Sequence, residues 1–327
     1  MSEPSIVEIS DLEVAFKVRT GRRGKRELLR AVNRASLSVG RGETVAVVGE
    51  SGSGKSTMAR AVLRQVALRG GTVRIDGVDV TSMRSREFRA LRRKVQMVFQ
   101  DPYSSLDPAM TVAESIAEPL VVHTNLNRRE RHDRVAELLD VVGLSARHLD
   151  RYPYEFSGGQ RQRLAIARAV ALNPEAVLCD EPVSALDMST QNQIINLLKD
   201  LQAQFGVSLL FISHDLAVVR HIAHRVAVMY LGSIVETGPA ERVFSRPAHP
   251  YTKALLAAVP VPDPEVQQAG RRPSIRGDAF SGTTTAGCPF AGRCPEAMDL
   301  CREQTPPDFP VDGGGVGACW LLAEKVA

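Results

Sequence analysis

A chain of 327 residues suits one large domain with an appendage or two medium domains, and 44% hydrophobic with 24% charged residues is ordinary for a globular protein that buries a sizeable core. Lys and Arg number 41 against 37 Asp and Glu, and a formal net charge of +4 is too small an excess for a nucleic-acid footprint, so no nucleic-acid partner is expected. No run of 18 apolar residues is present to span a bilayer, and the start MSEPSIVEIS lacks the basic-then-apolar order of a signal peptide, so the chain is expected to stay in the cytoplasm.

In chain order, apolar and β-branched residues over 6–18 and 28–39 predict strands of an antiparallel sheet. Thr44 to Val48 is a short apolar run that ends in a Gly/Ser-rich loop, with a helix expected from Ser56. Gly71 to Ile75 predicts another strand, turned at Asp76-Gly77. The basic stretch Arg84 to Lys94 reads either as a solvated helix face or as a docking surface for phosphate or a partner. From about Thr111 to Leu172 the pattern is helical, with Val135, Leu138, Leu139 and Val142 at helical spacing. Strand, helix and strand follow at 176–179, 191–204 and 208–212. That order implies a largely parallel sheet covered on both faces, interrupted by a helical insert at about 103–165. After Pro260 few apolar residues remain. The compact part is expected to end near Val259, and the tail to need a bound cofactor or a neighbouring surface to become ordered.

Residues 49–57 read GESGSGKST, the pattern G-x-x-x-x-G-K-[ST] carried by Gly49, Gly54, Lys55 and Ser56. Backbone N–H groups of such a loop, through Ser51, Gly52 and Ser53, form a nest for phosphate oxygens, and the helix that follows adds its free N–H groups. Lys55 is expected to reach the β- and γ-phosphates, Ser56 to ligate magnesium and Thr57 to add a phosphate contact. This combination binds nucleotide without specifying the task. Asp180, ending the strand VLCDE, is expected at a magnesium ion, and Glu181 to polarise the attacking water as general base. Gln100 and His214 each follow a strand-like run. Gln100 is a candidate contact to magnesium or water. For His214, a catalytic role and a plain surface role both stand on the residues alone.

These motifs, in this order with Ser157-Gly158-Gly159-Gln160 of EFSGGQRQR and SALD at 184–187, resemble the ATP-binding-cassette (ABC) transporter nucleotide-binding subunits over residues 5–260. The resemblance implies an α/β P-loop NTPase cassette. Its expected parts are a RecA-like mixed or parallel sheet core, an N-terminal antiparallel β-subdomain, a helical insert and a small cysteine-bearing tail. It divides the chain into a nucleotide-binding domain, 1–259, and an extension, 260–327. It implies two ATPase subunits stacked head to tail, with Ser157, Gly158, Gly159 and Gln160 of one closing over ATP held by the other. Asp187 would order that interface, and Phe16 would stack on adenine, although a core Phe is an equal reading. Two departures stand out: Phe156 where Leu is commoner, and Ser53 where many relatives have Cys, a position at which only backbone N–H groups are expected to matter.

QDPYSSLDP at 100–108, RYPYEFSGGQRQR at 151–163, HPYTKALLAAVP at 249–260 and CPFAGRCPEAMDLC resemble the oligopeptide/dipeptide importer branch. The implied partners are a second ATPase subunit, as a sister chain, two transmembrane permeases and an extracytoplasmic substrate-binding protein. The chain would be held peripherally at the cytoplasmic face of the membrane, with a permease helix docked near Tyr103 to Met110. The implied function is ATP hydrolysis driving uptake of di- or oligopeptides. The same motor serving nickel complexes, glutathione or sugars is the alternative. A soluble ABC ATPase acting on nucleic acid or ribosomes is a remote one.

Of five cysteines, Cys179 reads as a small core residue, whereas Cys288, Cys294, Cys301 and Cys319 crowd into the tail. Their spacers of five, six and seventeen residues match neither common zinc-finger nor bacterial ferredoxin spacing. Four thiols in a weakly apolar tail suggest a metal site, iron–sulfur or Zn2+, with unliganded thiols left open. The resemblance implies a [4Fe-4S] cluster there.

Overall fold

The apolar runs beside the Gly/Ser loop and the acidic pair fold as strands buried at every residue, β3 (Thr44–Val48), β7 (Ala176–Asp180) and β8 (Ser208–Ile212). Such runs, without alternation, are what a sheet covered on both faces selects. The computed structural model describes residues 5–20, 25–258 and 287–325. The other strands are β1 (Val7–Thr20), β2 (Lys25–Val39), β4 (Gly70–Ile75), β5 (Val78–Asp79), β6 (Val95–Val98), β9 (Arg225–Tyr230), β10 (Ser233–Pro239), β11 (Phe309–Pro310) and β12 (Val316–Gly317). The helices are α1 (Lys55–Val62), α2 (Ser85–Leu91), α3 (Pro102–Ser105), α4 (Val112–His123), α5 (Arg128–Val141), α6 (Gly158–Val170), α7 (Met188–Phe205), α8 (Leu216–Ile222), α9 (Ala240–Ser245), α10 (Pro250–Ala257) and α11 (Asp299–Glu303). The chain divides into two compact units. The expected boundary near Val259 lies outside the described residues.

The first unit holds the chain up to Glu8, Ser38–Thr44 and Thr72–Ser213. Here β6, β7 and β8 run parallel, pairing Val98 with Cys179 and Cys179 with Phe211, so the β7 carboxyl end is aligned by neighbours on both sides. The helical stretch expected over 111–172 is three α-helices, with two short 3-10 turns at Ala146–His148 and Pro153–Glu155, because polar caps restart it. Thr111 with Glu114 and Asn127 with Glu130 form capping boxes at α4 and α5, and Ser157 with Gln160 does so at α6. Val135, Leu138, Leu139 and Val142 are all buried, as their spacing requires. In the basic stretch, Arg84, Arg86, Arg89, Arg92 and Arg93 are exposed, as on a solvated helix face, while Lys94 pairs with Asp76 and Glu175.

The second unit holds Ile9–Leu37, Val45–Gly71 and His214 onward. β3 pairs parallel with β9, and β10 pairs antiparallel with β9, which makes this a mixed sheet. β12 adds to β10 through Glu236↔Gly317 and Thr237↔Val316, and β11 to β12. The described part of the tail, 287–325, is therefore held by strand addition. It is also ordered by burial: Phe290 packs against Tyr230, Tyr251 and His249 with ring centroids 5.2, 5.4 and 5.8 Å away. For residues 287–325, a neighbouring surface of the kind expected to order the tail is present. Among the described residues no helix is long and apolar enough to cross a membrane.

Candidate nucleotide site

In the second unit the loop between β3 and α1 wraps around the Lys55 side chain, which is only 4% exposed. The Lys55 ammonium donates to the carbonyls of Gly49 and Glu50 at 2.9 and 2.8 Å and to the Ser53 hydroxyl at 3.3 Å. A buried ammonium is tolerable only when its donors are matched, and the loop carbonyls supply this. The Ser53 hydroxyl thus takes part directly, which corrects the expectation that only backbone matters at position 53. Gly54 caps α1 in the left-handed region, φ +105, and a β-carbon there would stand 2.1 Å from the Ala31 carbonyl oxygen. Only glycine lets the loop pass this close to β2. Ser51 and Gly52 are exposed at the loop crest, and Ser56 and Thr57 lie in the first turn of α1, the helix end whose N–H groups and dipole favour an anion.

Other contacts on this loop are not foreshadowed by spacing. The Glu50 N–H donates to the Tyr251 hydroxyl at 2.9 Å. The Glu50 carboxylate receives both terminal nitrogens of Arg293, at 2.9 and 3.1 Å. These partners lie 201 and 243 positions along the chain, so no local pattern could have revealed them. The same unit carries Phe16 on β1, 40% exposed, and His214, exposed just after β8.

In the first unit Asp180, 1% exposed, ends β7. Glu181 follows with φ +47, a left-handed conformation that turns its side chain away from the Asp180 direction, while its N–H still donates to the Ile212 carbonyl at 3.0 Å. Gln100 brings its amide to the Glu181 carboxylate at 3.0 Å, so these two predicted residues meet directly. The Asp180 carboxylate and Gln100 amide oxygen of this unit are hard donors of the kind magnesium prefers, as is the Ser56 hydroxyl of the second unit taken by itself.

Ser157 and Gln160 cap α6 reciprocally, at 3.0 and 3.3 Å. A β-carbon on Gly159 would fall 2.3 Å from Thr190 Cγ2, whereas one on Gly158 would meet Leu186 at an ordinary 3.4 Å. Gly159 therefore lets the start of α6 lie close against α7. Asp187 caps α7, accepting the Thr190 N–H at 2.9 Å and hydroxyl at 2.8 Å, and these bonds hold its carboxyl below the usual range. Phe156 is buried edge-on to His148, at 5.4 Å, which accommodates an aromatic ring at that position. Beside this region Arg161 stacks over Tyr103, 3.8 Å from the ring centroid, and donates to the Pro153 carbonyl. Tyr103, Asp107, Met110, Glu118 and Arg168 line a groove of ≈ 410 Å³.

The expectation of a metal centre in the tail is corrected. Cys288, Cys294, Cys301 and Cys319 do line one small cavity, together with His249, Phe290 and Trp320. Yet among the described residues no group of three or more His, Cys, Asp or Glu side chains is disposed to hold a metal ion, so neither the [4Fe-4S] cluster nor Zn2+ stands. Burial pushes the Cys288 thiol up and those of Cys294 and Cys319 to about 11, so these three hold their protons at neutral pH. Cys179 is wholly buried in β7, as expected, and burial raises its thiol to about 12.

A family model for ABC transporters matches residues 32–184, and one for the C-terminal region of oligopeptide/dipeptide transporters matches residues 235–301. The chain is 51% identical over 301 residues to a probable peptide ABC transporter ATP-binding protein of Sinorhizobium fredii, covering 92% of this chain and 85% of that one. It is 47% identical over 306 residues to an oligopeptide transport ATP-binding protein of Salmonella typhimurium, covering 92% of each. A glutathione import ATP-binding protein of Pectobacterium atrosepticum is 53% identical over 269 residues, which are 82% of this chain and 43% of that longer one. Among solved structures, a dimeric ATP-binding cassette in a post-hydrolysis state with ADP and Pi matches with a TM-score of 0.64 and 32% identity, covering 72% of this chain and 98% of that one.

Proposed function

The chain belongs to the oligopeptide/dipeptide family of ABC-transporter ATP-binding subunits, and from that membership we propose a division of labour among its ATP-site residues. The protein binds and hydrolyses ATP to energise import of di- and oligopeptides. Its complex comprises a second ATPase subunit, two permeases and a substrate-binding protein. The observation that carries the site reading is the buried Lys55 ammonium, matched on every side by the loop that would cradle phosphate.

In this reading the N–H groups from Gly49 to Thr57 bind the phosphates, and Lys55 exchanges loop carbonyls for β- and γ-phosphate oxygens. Ser56, Asp180 and Gln100 would hold magnesium, which supplies neutralisation of phosphate charge. Glu181, oriented by Gln100, takes the proton of the attacking water, and His214 assists at the γ-phosphate. Phe16 stacks on adenine. Ser157, Gly158, Gly159, Gln160 and Asp187 face ATP on the second ATPase subunit, with the electropositive end of α6 directed at phosphate. The groove at Tyr103 and Met110 receives a permease helix, which keeps the chain at the cytoplasmic face of the membrane. Residues 1–259 act as the cassette and 260–327 as the importer-specific extension.

The test is ATP-dependent uptake of labelled di- and oligopeptides by the assembled complex in vesicles, with its binding protein present. Glu181→Gln is expected to abolish uptake and slow phosphate release about 10²- to 10⁴-fold. Near-normal turnover in that variant would remove Glu181 from the base role. The glutathione-importing relative favours one second reading, the same motor serving glutathione. Hydrolysis with glutathione uptake and no peptide uptake would select it.

A further inference from the structure

Glu50 is an odd residue to find in an anion-binding loop. Its carboxylate is 29% exposed beside N–H groups arranged for phosphate, where a negative charge repels the ligand. The tail answers that charge. Arg293 is 9% exposed and meets the carboxylate with a two-pronged pairing, Nη1 to Oε2 at 2.9 Å and Nη2 to Oε1 at 3.1 Å. This fork is the geometry in which arginine binds a carboxylate most strongly and most directionally. Arg293 is itself held, because Nη1 also donates to the Tyr230 hydroxyl at 3.2 Å. Phe290, three residues earlier, is wedged against Tyr230 and Tyr251.

Glu50 is thereby fastened at three points. Its carboxylate is held by the tail, its N–H by the Tyr251 hydroxyl of α10, and its carbonyl by the Lys55 ammonium. The last of these is the group assigned to the nucleotide phosphates, so a shift of Glu50 moves the carbonyl that orients Lys55.

We propose that Arg293 is a positioning residue for the phosphate loop, neutralising and clamping Glu50 so that the loop accepts nucleotide phosphate. The proposal rests on the ATP-binding reading of this loop. It gives the tail a direct part in nucleotide affinity, through one ion pair.

The test uses the full chain and radiolabelled ATP with magnesium, by equilibrium dialysis, alongside amide hydrogen exchange at Glu50 and Ser51. Arg293→Gln is expected to weaken ATP binding about tenfold, below the full cost of breaking a buried pair because Glu50 is partly solvated, and to speed exchange at those amides. Adding Glu50→Gln removes the stranded carboxylate and is expected to restore affinity to within about threefold of the unsubstituted chain. In the assembled transporter the same substitution should raise KM for ATP more than it lowers kcat. Unchanged ATP affinity in folded Arg293→Gln would overturn the proposal. So would an equal loss in the double variant, because the defect would then come from the tail's packing and not from the carboxylate. If Arg293→Gln does not fold, Arg293→Lys carries the test: it keeps the charge and loses the fork, so exchange at Glu50 should rise, and unchanged exchange refutes the clamp. Failure of the unsubstituted chain to bind ATP would instead refute the nucleotide reading of the loop.

Discussion

Adding one methyl group at Gly54 measures how tightly the phosphate loop is fitted to its surroundings. In Gly54→Ala the new carbon would stand 2.1 Å from the Ala31 carbonyl oxygen and 3.0 Å from Met229 Cε. A close carbon–oxygen contact is about 3.3 Å, so roughly 1 Å of movement is forced on the loop or on β2. The φ of +105 adds left-handed strain of about 1–2 kcal/mol for a residue with a side chain. The Met229 methyl is flexible and yields, whereas the Ala31 carbonyl is backbone in a paired strand, so the loop is the part that moves. Displacing phosphate donors by about 1 Å breaks one or two charge-assisted hydrogen bonds, about 3 kcal/mol or roughly 100-fold in affinity. ATP titration of the variant against the unsubstituted chain should show that loss, with a lowered melting temperature in the absence of ATP. ATP affinity within threefold of the unsubstituted chain, together with lowered stability, would refute the reasoning by showing that β2 absorbs the strain.

Two further substitutions probe how the second unit is held together. The Arg242–Glu236 pair is fully buried, Glu236 also accepts the N–H groups of Ala248 and His249, and Arg242 Nε donates to the Gly314 carbonyl at 3.1 Å, so Arg242→Met strands a carboxylate and loosens the tail. Urea denaturation should show a loss of about 3–5 kcal/mol, partly recovered by adding Glu236→Gln, and a loss under about 1 kcal/mol would contradict this account. His249 caps α10 through Nδ1, which accepts the Tyr251 N–H at 3.0 Å, and burial drives its pKa down to about 3. The folded chain therefore refuses a proton that the unfolded chain accepts. Its contribution is intact above about pH 6.5 and falls by up to about 1.4 kcal/mol per pH unit as the pH drops from there toward 3. His249→Asn keeps a capping acceptor without the titrating ring, so it should flatten that acid dependence, and an unaltered slope would assign the acid sensitivity to other groups.

Much of the candidate nucleotide site is legible in the sequence because its parts are contiguous. A loop that presents successive N–H groups, with a lysine and a hydroxyl behind it, must be one short segment, and 49–57 is such a segment. The acidic pair at 180–181 and the Ser157 and Gln160 cap are local for the same reason: a strand end and a helix start are built within a few residues. The two strands that extend the mixed sheet on one side, β9 and β10, are not among the strands the sequence predicts, and β11 and β12 are two residues each, too short for a periodic signal.

What only the tertiary structure decided concerns groups brought together across long separations. Four thiols crowded in a weakly apolar tail suggest a metal, whereas the fold buries Cys288, Cys301 and Cys319 and half-buries Cys294 beside Phe290 and Trp320, an outcome set by what packs around them. The left-handed turn at Glu181 depends on strands on which its own neighbours in sequence are silent. The clamp from Arg293 to Glu50 joins residues 243 apart. Chemistry confined to one turn of chain leaves a pattern in the sequence. A charge pair that closes a long loop leaves none, because each half reads alone as an ordinary surface residue, and only packing of the intervening chain makes them partners.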